Sequence, residues 1–261
     1  MSNLVGHSGC NLDLISYGDK LVIRKSSKSI DYNKRLELQY HKQKLFKNDQ
    51  IKAPKVFDSG IEKGLFYFDM EYINGIRFND YIKSQNFDKV FRIFSTLTNF
   101  VISNFTDEHI SKSREILLKI ESINSANLID INVFNKIVTY SSIPIRSGYC
   151  HGDLTFENII ISNDEIYLID FLDSFIDSPI IDISKLLQEF ELNWSNRNDS
   201  PLKFLPIIRN IFLKNHLLNS INCLNLNNDT IYLQKKLTLM RILPYTNNFT
   251  LKLSLIELIN K

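Results

Sequence analysis

The sequence predicts an α+β fold in two lobes: a small lobe built on an antiparallel sheet, residues 1–73, and a larger, mainly helical lobe, residues 74–261. Three observations carry this. Short β-branched and aromatic runs separated by glycine turns occupy the first seventy or so residues. Helical apolar spacing takes over after Tyr72-Ile73-Asn74-Gly75. A later pair of short apolar runs, Ile159–Ile161 and Ile166–Ile169, interrupts the helices. With 261 residues, 44% hydrophobic and 23% charged, the chain can bury a sizeable core, and that apolar content excludes a disordered chain.

The elements follow in order. Leu12–Tyr17, a Gly18-Asp19 turn and Leu21–Lys25 read as a hairpin. Asp31 to Phe46 reads as a charged helix with Leu36 and Tyr40 on its apolar face. Val56-Phe57 and Leu65–Phe68 supply further strands around turns at Ser59-Gly60 and Lys63-Gly64. From Asp88 to Phe105, Val90, Phe91, Phe94, Leu97, Val101 and Ile102 repeat at helical spacing, and Asp88 is positioned to cap that helix. Ser111–Ile123 and Val133–Tyr140 read as helices. Asn163-Asp164 turns the Ile159/Ile166 hairpin, and Pro179 to Lys261 is helical with Asn-rich connections.

Charge and cysteine content narrow the function classes. Lys+Arg (31) nearly balance Asp+Glu (29), so no electrostatic case exists for a dedicated nucleic-acid binder. No apolar run approaches the ~18 residues of a membrane span, and no signal peptide is visible. Three cysteines, Cys10, Cys150 and Cys223, are widely spaced and form no disulfide framework, which points to a reducing, cytoplasmic setting.

The chemistry concentrates in His151-Gly152-Asp153-Leu154-Thr155-Phe156-Glu157-Asn158 and, twelve residues on, Asp170-Phe171. Asn158 and Asp170 flank the two arms of the hairpin, so folding brings them to the same open end. An amide oxygen and a carboxylate there suit Mg²⁺, which takes few protein ligands and completes its shell with phosphates and water. Asp153 heads the loop, where a carboxylate can take the proton of a substrate hydroxyl. A catalytic-loop Asp, an Asn five residues later and a metal Asp after the next strand pair form the phosphoryl-transfer arrangement of kinases.

His-Gly-Asp-x-x-x-x-Asn followed by Ile-Asp-Phe resembles the aminoglycoside phosphotransferase/choline kinase family, small-molecule kinases of the protein-kinase-like fold. Gly152 stands where protein kinases carry Arg, Asp170-Phe171-Leu172 replaces Asp-Phe-Gly, and no Ala-Pro-Glu follows. Asp182, heading the helix after Ser178-Pro179, also resembles the family. The resemblance implies ATP and Mg²⁺ as cofactors and the hydroxyl of a small molecule as acceptor. It implies Asp153 as catalytic base, Asn158 and Asp170 as metal ligands, and His151 as a support of the loop through hydrogen bonds. It also implies that the Gly6–Asn11 loop, through Ser8 and Gly9, covers the nucleotide phosphates, although the loop is not a Walker A sequence. The resemblance makes Lys25, in strand phase with Leu21 and Ile23, the candidate phosphate lysine, and places Glu71 and Ile73 in a hinge whose backbone would bind adenine. Glu37 is the available acid to orient Lys25, with Gln39 or Gln43 as alternatives.

For the acceptor, the resemblance points to Asp173, Asp177, Glu189 and Glu191, with Trp194 or Tyr232 as aromatic walls, and to a sugar or an amino alcohol such as choline or ethanolamine. The alternatives are an aminoglycoside acceptor, a catalytically inactive kinase-like binding module, and a protein kinase. Oligomeric state is not legible in the sequence.

Overall fold

In the computed structural model, which describes residues 10–17, 20–123, 129–197 and 204–261, two units each gather their own contacts. One comprises Met1–Phe78 with Glu157–Asp173, the other Asn79–Phe156 with Ser174–Lys261.

The first unit holds two four-stranded sheets. Strands β1 (Cys10–Tyr17) and β2 (Lys20–Ser27) pair antiparallel, with Leu12 opposite Lys25. The Gly18-Asp19 turn expected between them lies outside the described residues. β5 (Leu65–Glu71) pairs with both β2 and β4 (Val56–Glu62), giving the order β1-β2-β5-β4. Ser59 and Gly60, expected to turn, instead run within β4 opposite Phe68 and Tyr67; the reversal is made by Lys63 and Gly64, both at positive φ. That pair of left-handed residues matches the twist of a tight hairpin.

Helix α1 (Asn33–Leu45) presents Leu36, Gln39, Tyr40 and Gln43, at i, i+3, i+4 and i+7, as one buried stripe. The stripe meets Cys10, Ile23, Phe66, Phe68 and Met70 of the sheet. Full burial of Leu36 or Phe68 contributes about 1.5–3 kcal/mol each.

The second sheet is assembled from distant pieces: β3 (Ile51–Lys52), β10 (Glu165–Leu168), β9 (Ile159–Ser162) and β6 (Ile76–Arg77), in that order. β3 runs parallel to β10, and the other pairs are antiparallel. Asn163 and Asp164, at φ 51° and 62°, close the β9–β10 hairpin. Gly75 precedes β6 where a Cβ would fall 2.6 Å from both the Ile160 Cγ2 and the Ile161 carbonyl oxygen, so only glycine permits that approach.

The second unit is mainly helical. α2 (Phe78–Ser84) leads to α3 (Phe87–Ser103). The cap of α3 is Asn86, whose side chain accepts from the Asp88 N–H, rather than Asp88 itself. β7 (Phe105–Ile110) and β8 (Ile145–Gly148) form a short antiparallel pair. α4 (Ser113–Ile123) and α5 (Ile131–Tyr140, capped by Asp130) precede α6 (Ile180–Leu192), α7 (Phe204–Asn222), α8 (Asn228–Ile242) and α9 (Phe249–Asn260). The core of α4, α5, α6, α8 and α9 joins Ile116, Ile120, Ile137, Ile181, Leu237 and Leu255. α6 is locked to α8 by a Ser184–Thr238 hydroxyl hydrogen bond of 2.8 Å and a Lys235–Glu191 ion pair of 2.7 Å. Among the described residues, no helix is long and apolar enough to cross a membrane.

Candidate active site

In the first unit Gln39 and Asp170 converge on Lys25. Strand phase turns its side chain onto α1, where it is 3% exposed. Its Nζ donates to Gln39 Oε1 at 3.0 Å and to Asp170 Oδ1 at 2.8 Å. Burial pulls the ammonium pKa down, but attraction and hydrogen bonding to the Asp170 carboxylate outweigh this and hold it above the ordinary lysine value.

Gln39 is the residue of α1 that meets Lys25. Glu37 lies on the exposed face, 4.0 Å from His41, because two residues of helix rotate it about 200° from Gln39. Gln43 shares the buried stripe but donates to the Pro54 carbonyl.

Asp170 follows β10 at φ 60°, a left-handed conformation that costs a residue with a Cβ about 1 kcal/mol or more and is found where neighbouring contacts enforce it. The ion pair to Lys25 is such a contact. Asn158 ends a 3-10 turn (Phe156–Asn158), is 8% exposed, and accepts the Ile169 N–H through its carbonyl at 3.0 Å. Thus Asn158 and Asp170 flank one end of the β9–β10 ladder. One amide oxygen and one carboxylate make a hard donor set that fits Mg²⁺. Among the described residues no three His, Cys, Asp or Glu side chains gather into a group that could hold a metal ion by themselves. Glu71 closes β5, its N–H donating to the Lys55 carbonyl, and Ile73 lies in the extended stretch between β5 and β6. Ser8 and Gly9 lie outside the described residues.

In the second unit the loop His151-Gly152-Asp153 is held by a buried carboxylate. Asp182, in the first turn of α6 and 1% exposed, accepts the His151 N–H at 2.6 Å and the Gly152 N–H at 2.9 Å. Both amides can face it because Gly152 adopts φ 94°, which a side chain would oppose. The fully buried His151 ring accepts the Asp153 N–H at Nδ1 (3.3 Å).

Asp153 itself meets Lys185 of α6, with Nζ 2.9 Å from Oδ1. Burial would raise the carboxyl pKa, but attraction and hydrogen bonding to Lys185 prevail, with His151 and Arg241 adding to them, and hold it below the ordinary carboxylate value. Asp153 is thereby kept ionised, as a proton acceptor must be. Lys185 was missed at the sequence level; the available signal was a lysine three residues after Asp182, one turn along an otherwise buried helix.

The predicted acceptor contacts are scattered. Glu189 is 2% exposed and accepts from Phe156 N–H, Ser195 N–H and Ser195 Oγ at 2.9, 2.9 and 2.6 Å, so it anchors chain segments rather than offering a free carboxylate. Trp194 carries the Arg197 guanidinium 4.3 Å over its ring. Tyr232 carries Lys136 and Lys236. Glu191 is paired with Lys235. Asp173 is exposed in the first unit and Asp177 is exposed in the second. A cavity of about 250 Å³ in the second unit is lined by Phe105, His109, Pro144, Arg146 and Leu226 among others, and by none of these residues.

A model of the phosphotransferase enzyme family (APH) matches residues 141–206, the stretch holding His151, Asp153, Asn158, Asp170 and Lys185. No curated protein sequence matches the chain. Among solved structures, a thermostable mutant of aminoglycoside phosphotransferase APH(4)-Ia, in ternary complex with ADP and hygromycin B, superposes with a TM-score of 0.66 at 11% identity, covering 98% of this chain and 90% of that one. Choline kinase LicA from Streptococcus pneumoniae gives 0.57 at 18% identity, covering 99% and 92%. The fold is the one these kinases share. A protein assigned as fructosamine-3-kinase from Haemophilus somnus has it too, with a TM-score of 0.59 at 16% identity over 99% and 90% of the two chains. The α+β, protein-kinase-like architecture read from the sequence is therefore the one found, and the resemblance to aminoglycoside phosphotransferases and choline kinases is matched by these findings.

Proposed function

We propose that the chain is an ATP-dependent phosphotransferase acting on the hydroxyl group of a small molecule. The observation that carries this reading is the Lys25–Asp170 pair: a buried lysine joined at 2.8 Å to a left-handed aspartate at the end of the β9–β10 hairpin. Such a lysine binds phosphate oxygens as a point charge, and its pairing with Asp170 prepays its orientation. Asn158 and Asp170 would hold Mg²⁺, which supplies neutralisation of phosphate charge during transfer. The backbone at Glu71 and Ile73 would read the adenine edge.

Asp153 orients the acceptor hydroxyl and takes its proton. The acceptor oxygen forms a bond to the γ-phosphorus as the bond to the β,γ-bridging oxygen breaks, and ADP leaves with that electron pair. The carboxylate of Asp153 receives the proton and later releases it to water. Three cysteines that form no disulfide, two of them buried, support a cytoplasmic place of action.

One observation favours a second reading. Gln39, a neutral amide, faces Lys25 where an acid was expected, which suits a nucleotide-binding module without turnover. ATP turnover measured against a panel of neutral sugars, amino alcohols, aminoglycosides and peptides separates the readings. Transfer to a small alcohol supports the enzyme, transfer to peptide alone supports a protein kinase, and nucleotide binding without transfer supports the module.

A further inference from the structure

The Lys185–Asp153 ion pair links two residues that sequence spacing does not connect. α6 is buried on nearly every face, with Ser184, Leu186, Leu187 and Gln188 all enclosed, so its backbone is fixed by packing. The Ser184–Thr238 hydrogen bond fixes it further, one residue from Lys185. The Lys185 side chain is itself only 13% exposed, and its ammonium has little freedom to leave Asp153.

We propose that Lys185 is the positioning and specificity-determining residue of the second unit: its ammonium holds the Asp153 carboxylate in place and disfavours acceptors with a cationic group beside the reacting hydroxyl, so that the acceptor is a neutral or anionic hydroxyl compound. This rests on the phosphotransfer reading above.

The charge inventory supports it. Asp153 is faced by Lys185 from α6, by His151 from its own loop, and by the positive charge of Arg241 from α8. Asp182, the acid nearest that loop, spends both oxygens on the His151 and Gly152 amides. Four of the six groups that would receive a cationic acceptor are engaged as well, whereas Asp173 and Asp177 are exposed. Glu189 holds Phe156 and Ser195, and Glu191 holds Lys235. The ring faces of Trp194 and Tyr232 are covered by Arg197, Lys136 and Lys236. An ammonium compound would have to displace cations of the chain itself, losing the cation–π and carboxylate contacts that reward its binding elsewhere.

The test compares the wild type with Lys185→Met and Lys185→Arg. Matched acceptors are a neutral polyol or hexose, a sugar acid, and ethanolamine or choline. Asp153 is followed separately by carboxyl NMR titration, which needs no turnover. The wild type is expected to prefer neutral or anionic acceptors by about tenfold or more in kcat/KM. Lys185→Met should lower kcat on the order of 100-fold with nucleotide KM unchanged, narrow the acceptor preference, and move the Asp153 titration upward. Lys185→Arg should restore part of each. Thermal denaturation identifies a misfolded Met variant, in which case the Arg variant and the wild-type acceptor ratio decide. Preference of the active wild type for ammonium acceptors, or an Asp153 titration and pH–rate profile unmoved in a folded Lys185→Met, would overturn the role of Lys185 and leave the phosphotransfer reading standing. Absence of transfer to any acceptor by the wild type would overturn that reading, and acceptor selection with it.

Discussion

Lys25→Met removes the ammonium 2.8 Å from Asp170 Oδ1 and 3.0 Å from Gln39 Oε1 while keeping an apolar stem in the core. Breaking a fully buried ion pair costs about 3–5 kcal/mol, because the remaining charge stays desolvated. The Asp170 side chain is 36% exposed, so water takes up part of its charge, and the burial cost of Lys25 itself is relieved. The net loss should be about 1–3 kcal/mol. For a chain of this size that is a Tm fall of roughly 2–4 °C per kcal/mol. The raised lysine pKa means that the pair contributes fully below the ordinary lysine value and is lost only as pH rises through the raised one. The gap between wild type and variant should therefore be constant near neutral pH and close at strongly alkaline pH. Phosphoryl transfer should fall by about 100-fold or more if Lys25 binds the phosphates as proposed. Denaturant melts across pH and ATP turnover are the assays. Unchanged stability together with turnover within about twofold of wild type would show that the buried Lys25–Asp170 pair matters neither to the fold nor to transfer.

Asp182→Asn replaces one of two carboxylate oxygens with an NH₂ group facing a backbone N–H, so it should cost about 2–4 kcal/mol in chemical denaturation and depress turnover through the displaced His151–Asp153 loop. Asp170→Ala should abolish the thermal shift produced by Mg-ATP, a stabilisation of about 2.7 kcal/mol in wild type at 100-fold excess over Kd; a retained shift would remove Asp170 from the nucleotide site. Burial, reinforced by Lys235, pulls the Lys236 pKa down to about 8. Its protonated form is thus disfavoured in the fold, and Lys236→Met should gain most in Tm below pH 8, with the gain fading as pH rises toward the ordinary lysine value.

Much of the architecture is legible in sequence where an element is long enough to show its period. α1, α3 and the β9–β10 hairpin follow from apolar spacing and turn residues. β3 and β6 could not be read, since two residues carry no alternation and their pairing with Ile166 and Ile161 is decided by tertiary contacts. β7 was hidden for a related reason: its residues are mostly exposed, leaving no buried face to mark. In the candidate site, helical phase already separates Gln39 and Gln43 from Glu37, because Leu36 and Tyr40 define the inward stripe. The cap at Asn86 shows the limit of such reasoning, since two nearby residues can each supply an oxygen and the backbone selects one. The pairing of Lys185 was out of reach because its partner lies on a loop thirty-two positions earlier, and its place one turn after Asp182 is the sole local sign.

Asp153 is proposed as the base for transfer from ATP to a small hydroxyl acceptor. Phosphotransfer by wild type and Asp153→Ala, measured over the acceptor panel alongside nucleotide affinity, tests it most directly. The expected result is transfer to at least one small alcohol by wild type, loss of about 100-fold or more in the variant, and nucleotide binding largely intact. An acid limb of the wild-type pH profile below the ordinary carboxylate range should accompany it. Full activity in Asp153→Ala would rule Asp153 out as the base.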